Sequence, residues 1–288
     1  MSVFALTLGS YRAEWLKLSR RPATWILGII LGVAVLALGY AFIVVAVQLV
    51  ERTADTARGP GQGAIAQFLR DGMLPRNLVA QVLPLVNTIG GPIALILGAL
   101  TIGSEYSWGT LKTILTQRAG RLSVLGGKLL GLVPILLIFC LGAMLVGLLG
   151  SLLYAAIAGA SFALPSARDV LSGLGAAWLI LATWTMLGVA MAALFRSAAL
   201  AIGLGLVYAL ALETIVSTVA IFVEQIDSFR RILLGANTGG LANSFAASSP
   251  GAITSNPIPP ERATLILVAY IAAFLLITAI VIRRRDVA

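Results

Sequence analysis

At 288 residues the chain has the length of one or two globular domains, but it is 59% hydrophobic and only 11% charged, with a mean hydropathy of +1.01, which excludes an ordinary soluble domain. One cysteine and no histidine exclude a disulfide framework, a cysteine or histidine metal site and the usual general base, and the acidic residues form no paired catalytic motif. The net charge of +9 and pI near 10.4 would point to nucleic acid in a soluble protein; here topology and contact with anionic membrane lipids account for them without a nucleic-acid partner.

Six apolar stretches run approximately over 23–47, 78–103, 129–154, 171–195, 198–222 and 263–282, each long enough to cross about 30 Å of hydrocarbon as a helix. The expected fold is an all-α integral membrane protein, a single transmembrane domain over 1–288. Every connecting segment is shorter than about 45 residues and too small for a core of its own. The first stretch follows a charged segment and is longer than a signal-peptide core, so it reads as a retained span. Arg12, Lys17, Arg20, Arg21, Lys112, Arg118, Arg121, Lys128, Arg196 and Arg283 to Arg285 share one side with only Glu14, Glu105 and Asp286. The other side carries eight basic and seven acidic residues. The positive-inside bias makes the first side, with both termini, cytoplasmic.

In chain order, residues 1–22 come first. Phe4, Leu8, Tyr11, Trp15 and Leu18 share one helical face, while Ser10, Glu14, Lys17 and Arg21 share another. The spacing predicts an amphipathic helix in the cytoplasmic interface, its apolar face in the headgroup boundary and its basic side chains on anionic lipid or a partner. A plain extension of the first span is the alternative. Pro22 marks the turn into that span. Residues 48–77 hold Gly59-Pro60-Gly61, a turn, followed by a short helix around Ala64 to Arg70. Pro84, Asn87 and Pro92 predict a bent second span with exposed carbonyls.

The segment 104–121 is the richest. Ser104 reads as an N-cap, Glu105 suits a first helical turn, and Gly120 offers a stop, so a short surface helix is expected between the second and third spans. Glu105, Gly109-Thr110, Leu111-Lys112, Ile114-Leu115-Thr116, Arg121 and Gly127-Lys128 together resemble the cytoplasmic segment of type-2 ABC transporter permeases, membrane subunits of many bacterial exporters. That pattern usually has proline near the position of Arg118. The resemblance implies a dimeric permease in the bacterial inner membrane. It also implies that a cytoplasmic ABC ATPase, in two copies, docks on this segment and the amino-terminal region. Glu105, Gly109, Thr110, Leu111, Lys112, Arg121 and Lys128 would then couple to the ATPase. This chain shows no nucleotide motif of its own: around Gly126-Gly127-Lys128, Leu122 stands where a phosphate loop needs its first glycine and Leu129 where it needs Ser or Thr. No cofactor is expected here; ATP and magnesium belong to the partner, and the chain is not an enzyme.

Cys140 is expected to pack within the third span, and Gly28 with Gly32 and Gly127 with Gly131 allow close helix contacts. In the fourth span Trp178 and Trp184 are candidates for a transport pathway or for packing. Glu213 is the one formal charge inside a span. It is expected to face the protein interior, either contacting a cationic substrate or gate, or bonded to Tyr208, Thr214, Ser217 or an external arginine. Residues 223–262 predict a re-entrant or surface helical hairpin capping an external gate, or an ordered external loop, before the sixth span. The functional expectation is export of an amphiphilic or hydrophobic substrate, such as a drug, peptide or lipid. A non-transporting membrane anchor or signalling subunit, and an ATP-independent carrier or channel, are the alternatives.

Overall fold

The computed structural model describes residues 3–56, 62–107, 121–220, 223, 228–246 and 258–284. Every regular element among them is helical, and the protein is an all-α membrane protein. Among the described residues, six helices are long and apolar enough to cross a membrane: Pro22–Arg52, Pro75–Tyr106, Leu122–Ala158, Ala167–Phe195, Ala198–Val219 and Pro260–Arg283. The other described helices include α1 (Val3–Arg20), α2 (Gln62–Gly72) and α3 (Leu234–Ala246). The helix expected around Ala64 to Arg70 is α2; the Gly59-Pro60-Gly61 turn lies outside the described residues.

The second and fourth spans form the centre of the bundle and make its most extensive helix contact. Their crossing depends on glycine. A Cβ on Gly98 would collide with the Thr185 carbonyl, and one on Gly188 with the Leu95 carbonyl. In lipid no hydrophobic force drives one apolar helix onto another, so such close backbone contact, with its dispersion gain, holds the pair together. Leu83, Leu95, Ile180 and Leu181 fill the space around it, fully buried. The first, fifth and sixth spans lie outside this pair and present large apolar side chains outward, among them Ile29, Leu210 and Leu265, as helices in contact with acyl chains do. Gly28 and Gly32 of the first span meet Phe139 and Val146 of the third, and Cys140 is buried in the core.

Three spans carry a π-turn, at Ala37–Ala41, Val86–Gly90 and Val207–Leu212. The second lies between Pro84 and Pro92, where missing backbone N–H groups and ring clashes disturb the α-helical ladder, in agreement with the bend expected there. In the third, the Glu213 N–H bonds to the Tyr208 carbonyl, five residues back. Short caps close the other ends. Ser166 accepts from the Asp169 N–H (3.1 Å) and donates to its carboxylate (2.6 Å) at the start of the fourth span. Arg196, left-handed at φ 52°, and Ser197, which accepts from the Leu200 N–H, turn the fourth span into the fifth.

One expectation changes and one alternative is decided. Ser104 is not an N-cap: the second-span helix continues through Ser107, and the Ser104 hydroxyl donates back to the Leu100 carbonyl at 2.7 Å. No breaker interrupts the chain after Gly103, so the helix runs on. Of the two readings of 223–262, the described part fits the helical one, and the helix is buried rather than lying on the surface. Leu234, Asn237, Thr238 and Ala242 of α3 are almost wholly buried, and α3 lies against the second, fourth and sixth spans. The Tyr270 hydroxyl of the sixth span donates to the Ile232 carbonyl just before it (2.8 Å).

Candidate functional site

The first constellation joins α1 to the ends of two spans. α1 rests on the start of the third span, where Gly127 leaves room for Ser10 and Gly131 faces the Glu14 Cβ and Leu18. That approach brings four charges together. Lys128 Nζ donates to Glu14 Oε1 (2.6 Å) and to Glu105 Oε1, and Lys17 Nζ donates to the same Glu105 oxygen (2.5 Å). Glu105 is 1% exposed and Lys128 2%, so both have left water almost completely. Burying a lone charge here would cost several kcal/mol (about 3–5 when one partner is removed), and alternating signs with zero net charge offset that cost. Arg21 adds a hydrogen bond to the Leu100 carbonyl (3.3 Å).

This arrangement changes the expected orientation of α1, although Leu18 of its apolar face is also buried. The Ser10, Glu14, Lys17 and Arg21 face, assigned above to lipid or a partner, is turned onto the second and third spans. A polar helical stripe faces inward when its neighbour presents matching charges, and Glu105 and Lys128 supply them. Tyr11 and Trp15 are half-buried at the edge of that contact, while Arg12 and Leu16 are exposed. Among the residues expected to couple to an ATPase, the structure brings Glu105 and Lys128 into direct contact. Arg121 opens the helix that leads into the third span. Gly109, Thr110, Leu111 and Lys112 lie outside the described residues. The cluster therefore ties together the two helices that flank residues 108–120.

The second constellation lies toward the other ends of the spans. A cavity of about 400 Å³ opens between the second span (Asn87, Pro92), the fourth (Trp184), the fifth (Glu213, Thr214) and α3 (Gly235). Glu213 is 7% exposed, and its Oε1 accepts the Gly235 N–H at 2.7 Å. A Cβ at Gly235 would overlap the carboxylate, so this contact requires glycine. Gly235 stands in the first turn of α3, whose N–H groups have no partner within their own helix and favour a negative group. The π-turn places the Tyr208 hydroxyl beside the same carboxylate. Of the partners expected for Glu213, Tyr208 is present, whereas Thr214 donates to the Leu210 carbonyl of its own helix (2.7 Å). Gly235 was not legible from sequence, where it is one of thirty glycines with nothing to mark its approach.

Trp184 and Trp178 separate. Trp184 lines the cavity, 3% exposed, with its ring 6.4 Å from that of Tyr208 and tilted by 57°. Its Nε1 and the Asn87 Oδ1 are buried without a hydrogen-bond partner among the described residues. Trp178 instead donates to the Val133 carbonyl (3.3 Å) and joins the fourth span to the third, away from the cavity. None of the described residues lining the cavity is basic.

No curated protein matches the chain. A family profile does, over residues 41–288, from the middle of the first span onward; this takes in Glu105, Lys128 and the whole Glu213 cavity but not α1. The chain accordingly belongs to the family described as protein of unknown function DUF2705.

Proposed function

We propose that this chain is the permease subunit of an ATP-driven exporter of the type-2 ABC kind, moving an amphiphilic or hydrophobic substrate across the bacterial inner membrane. In this reading both termini are cytoplasmic, as the charge asymmetry favours. Two copies enclose the pathway, and separate ATPase subunits bind and hydrolyse ATP. The observation that carries the reading is the buried cluster of Glu14, Lys17, Glu105 and Lys128. It supports a mechanical input: a push on residues 108–120 reaches the second span through Glu105, the third through Lys128, and α1 through both. Glu105 and Lys128 then act as positioning residues inside the joint, which leaves Gly109, Thr110, Leu111 and Lys112 as the surface for the ATPase. A sealed, charge-neutral joint transmits displacement because separating its ions exposes unpaired buried charge.

The test is recovery of the full-length chain from its native membrane in mild detergent, with its companions identified by mass spectrometry. A stoichiometric ATPase is expected, and Gly109→Pro is expected to release it while the permease keeps its melting temperature and its detergent-solubilised yield. Recovery of the folded chain without any ATPase, under conditions that keep other ABC complexes whole, would count against the exporter and favour an anchor or an ATP-independent carrier.

A further inference from the structure

We infer that the cavity beside Glu213 binds an amphiphile through a protonated amine. As a statement about cargo this rests on the exporter reading; as a statement about binding it stands on the cavity alone. Three observations carry it.

The first is charge. Glu213 is held in place by two neutral donors, the Gly235 N–H and the Tyr208 hydroxyl, and none of the described residues around the cavity brings a positive charge to it. The first turn of α3 offers only the partial charge of a helix terminus, about half an elementary charge. An ammonium group in the cavity would supply the missing unit. The cluster at the other side of the bundle shows what this chain does when charge is to be cancelled internally: each carboxylate there has a lysine.

The second is aromatic. Trp184 lines the cavity, its ring 6.4 Å from that of Tyr208, and a desolvated cation over an indole face is attracted to it. The third is the neutral polar lining: Asn87, Thr88, Thr214, Ser217 and Thr218 border the cavity with amide and hydroxyl groups that suit a polar headgroup and bring no competing charge. A volume of about 400 Å³ fits a drug-sized headgroup. Thr214 on the rim is exposed on the peripheral fifth span, so an apolar tail can leave sideways toward lipid.

The probe is dansylcadaverine, an amphiphilic primary amine, against its N-acetylated form, which keeps the dansyl group and spacer and loses the charge. Both are titrated by fluorescence against the full chain in phosphatidylcholine nanodiscs, with empty nanodiscs subtracted. Saturable binding of the amine is expected, weakened at least roughly tenfold by acetylation and to a similar degree by Glu213→Gln, which keeps an acceptor for Gly235. The acetylated form should bind wild type and Glu213→Gln alike. Equal affinity of the two probes for wild type, or no saturable binding at all, overturns the inference without any variant. So does unchanged amine affinity in folded Glu213→Gln. An ATPase partner recovered with no preference for the amine removes this inference and leaves the exporter reading intact; amine-selective binding with no ATPase does the reverse.

Discussion

The two groups of buried charge differ in one respect that separates a joint from a site. Glu14, Lys17, Glu105 and Lys128 cancel among themselves, and their contacts leave no room between α1 and the third span at Gly127. Glu213 has hydrogen bonds but no counter-charge among the described residues, and it borders an opening of about 400 Å³. Balanced charge without space holds helices together. Unbalanced charge beside space is the arrangement that a ligand can complete.

The largest effect expected is at the joint. Lys128→Met leaves two carboxylates facing each other with only half-exposed Lys17 between them, and should cost about 3–5 kcal/mol, read as a large fall in melting temperature and folded yield in detergent. Adding Glu105→Leu should restore part of that loss, because an apolar core tolerates the absence of both partners better than of one. If Lys128→Met were as stable as wild type, the two regions would not differ in the way described. Gly235→Ala comes next. Its methyl group has no space beside the Glu213 carboxylate, and displacement of α3 or of the fifth span should cost about 1–3 kcal/mol. The same variant should weaken amine binding, whereas Lys128→Met in the fraction that folds should not. The smallest effect is expected at Arg70, whose ion pair with Glu51 is exposed on both sides. Arg70→Gln should change stability by under about 1 kcal/mol, and added salt should lessen the difference further.

The six spans were legible because more than twenty apolar residues in a row have few other uses, and Pro22, α2 and the disturbed second span followed from local chemistry. The inward face of α1 was not legible. A stripe of Ser10, Glu14, Lys17 and Arg21 reads the same whether it meets water, lipid headgroups or a complementary helix. Only the fold brings Lys128 to Glu14, 114 positions away. The burial of α3 was not legible for a related reason. Asn237 and Thr238 look like loop residues, yet both are wholly buried, Asn237 donating to the Leu233 carbonyl (2.7 Å) and Thr238 to the Gly235 carbonyl (3.1 Å). The amide and the hydroxyl each find a donor's partner without leaving their own turn. Trp178 and Trp184, similar on paper, were separated by which neighbour each one faced.

The second span passes through both regions, with Glu105 near one end and Asn87 about 27 Å away along the helix axis at ~1.5 Å per residue. Between Pro84 and Pro92 the π-turn Val86–Gly90 holds, in effect, one inserted residue. Were the same residues to run on in plain α-helical register, everything before the turn would be rotated by about 100° relative to Glu105. Asn87 would then leave the cavity while the charged joint stayed closed. The spare residue sets the phase between the two ends of the helix, so that the side that receives Lys128 and the side that faces Glu213 are brought into line.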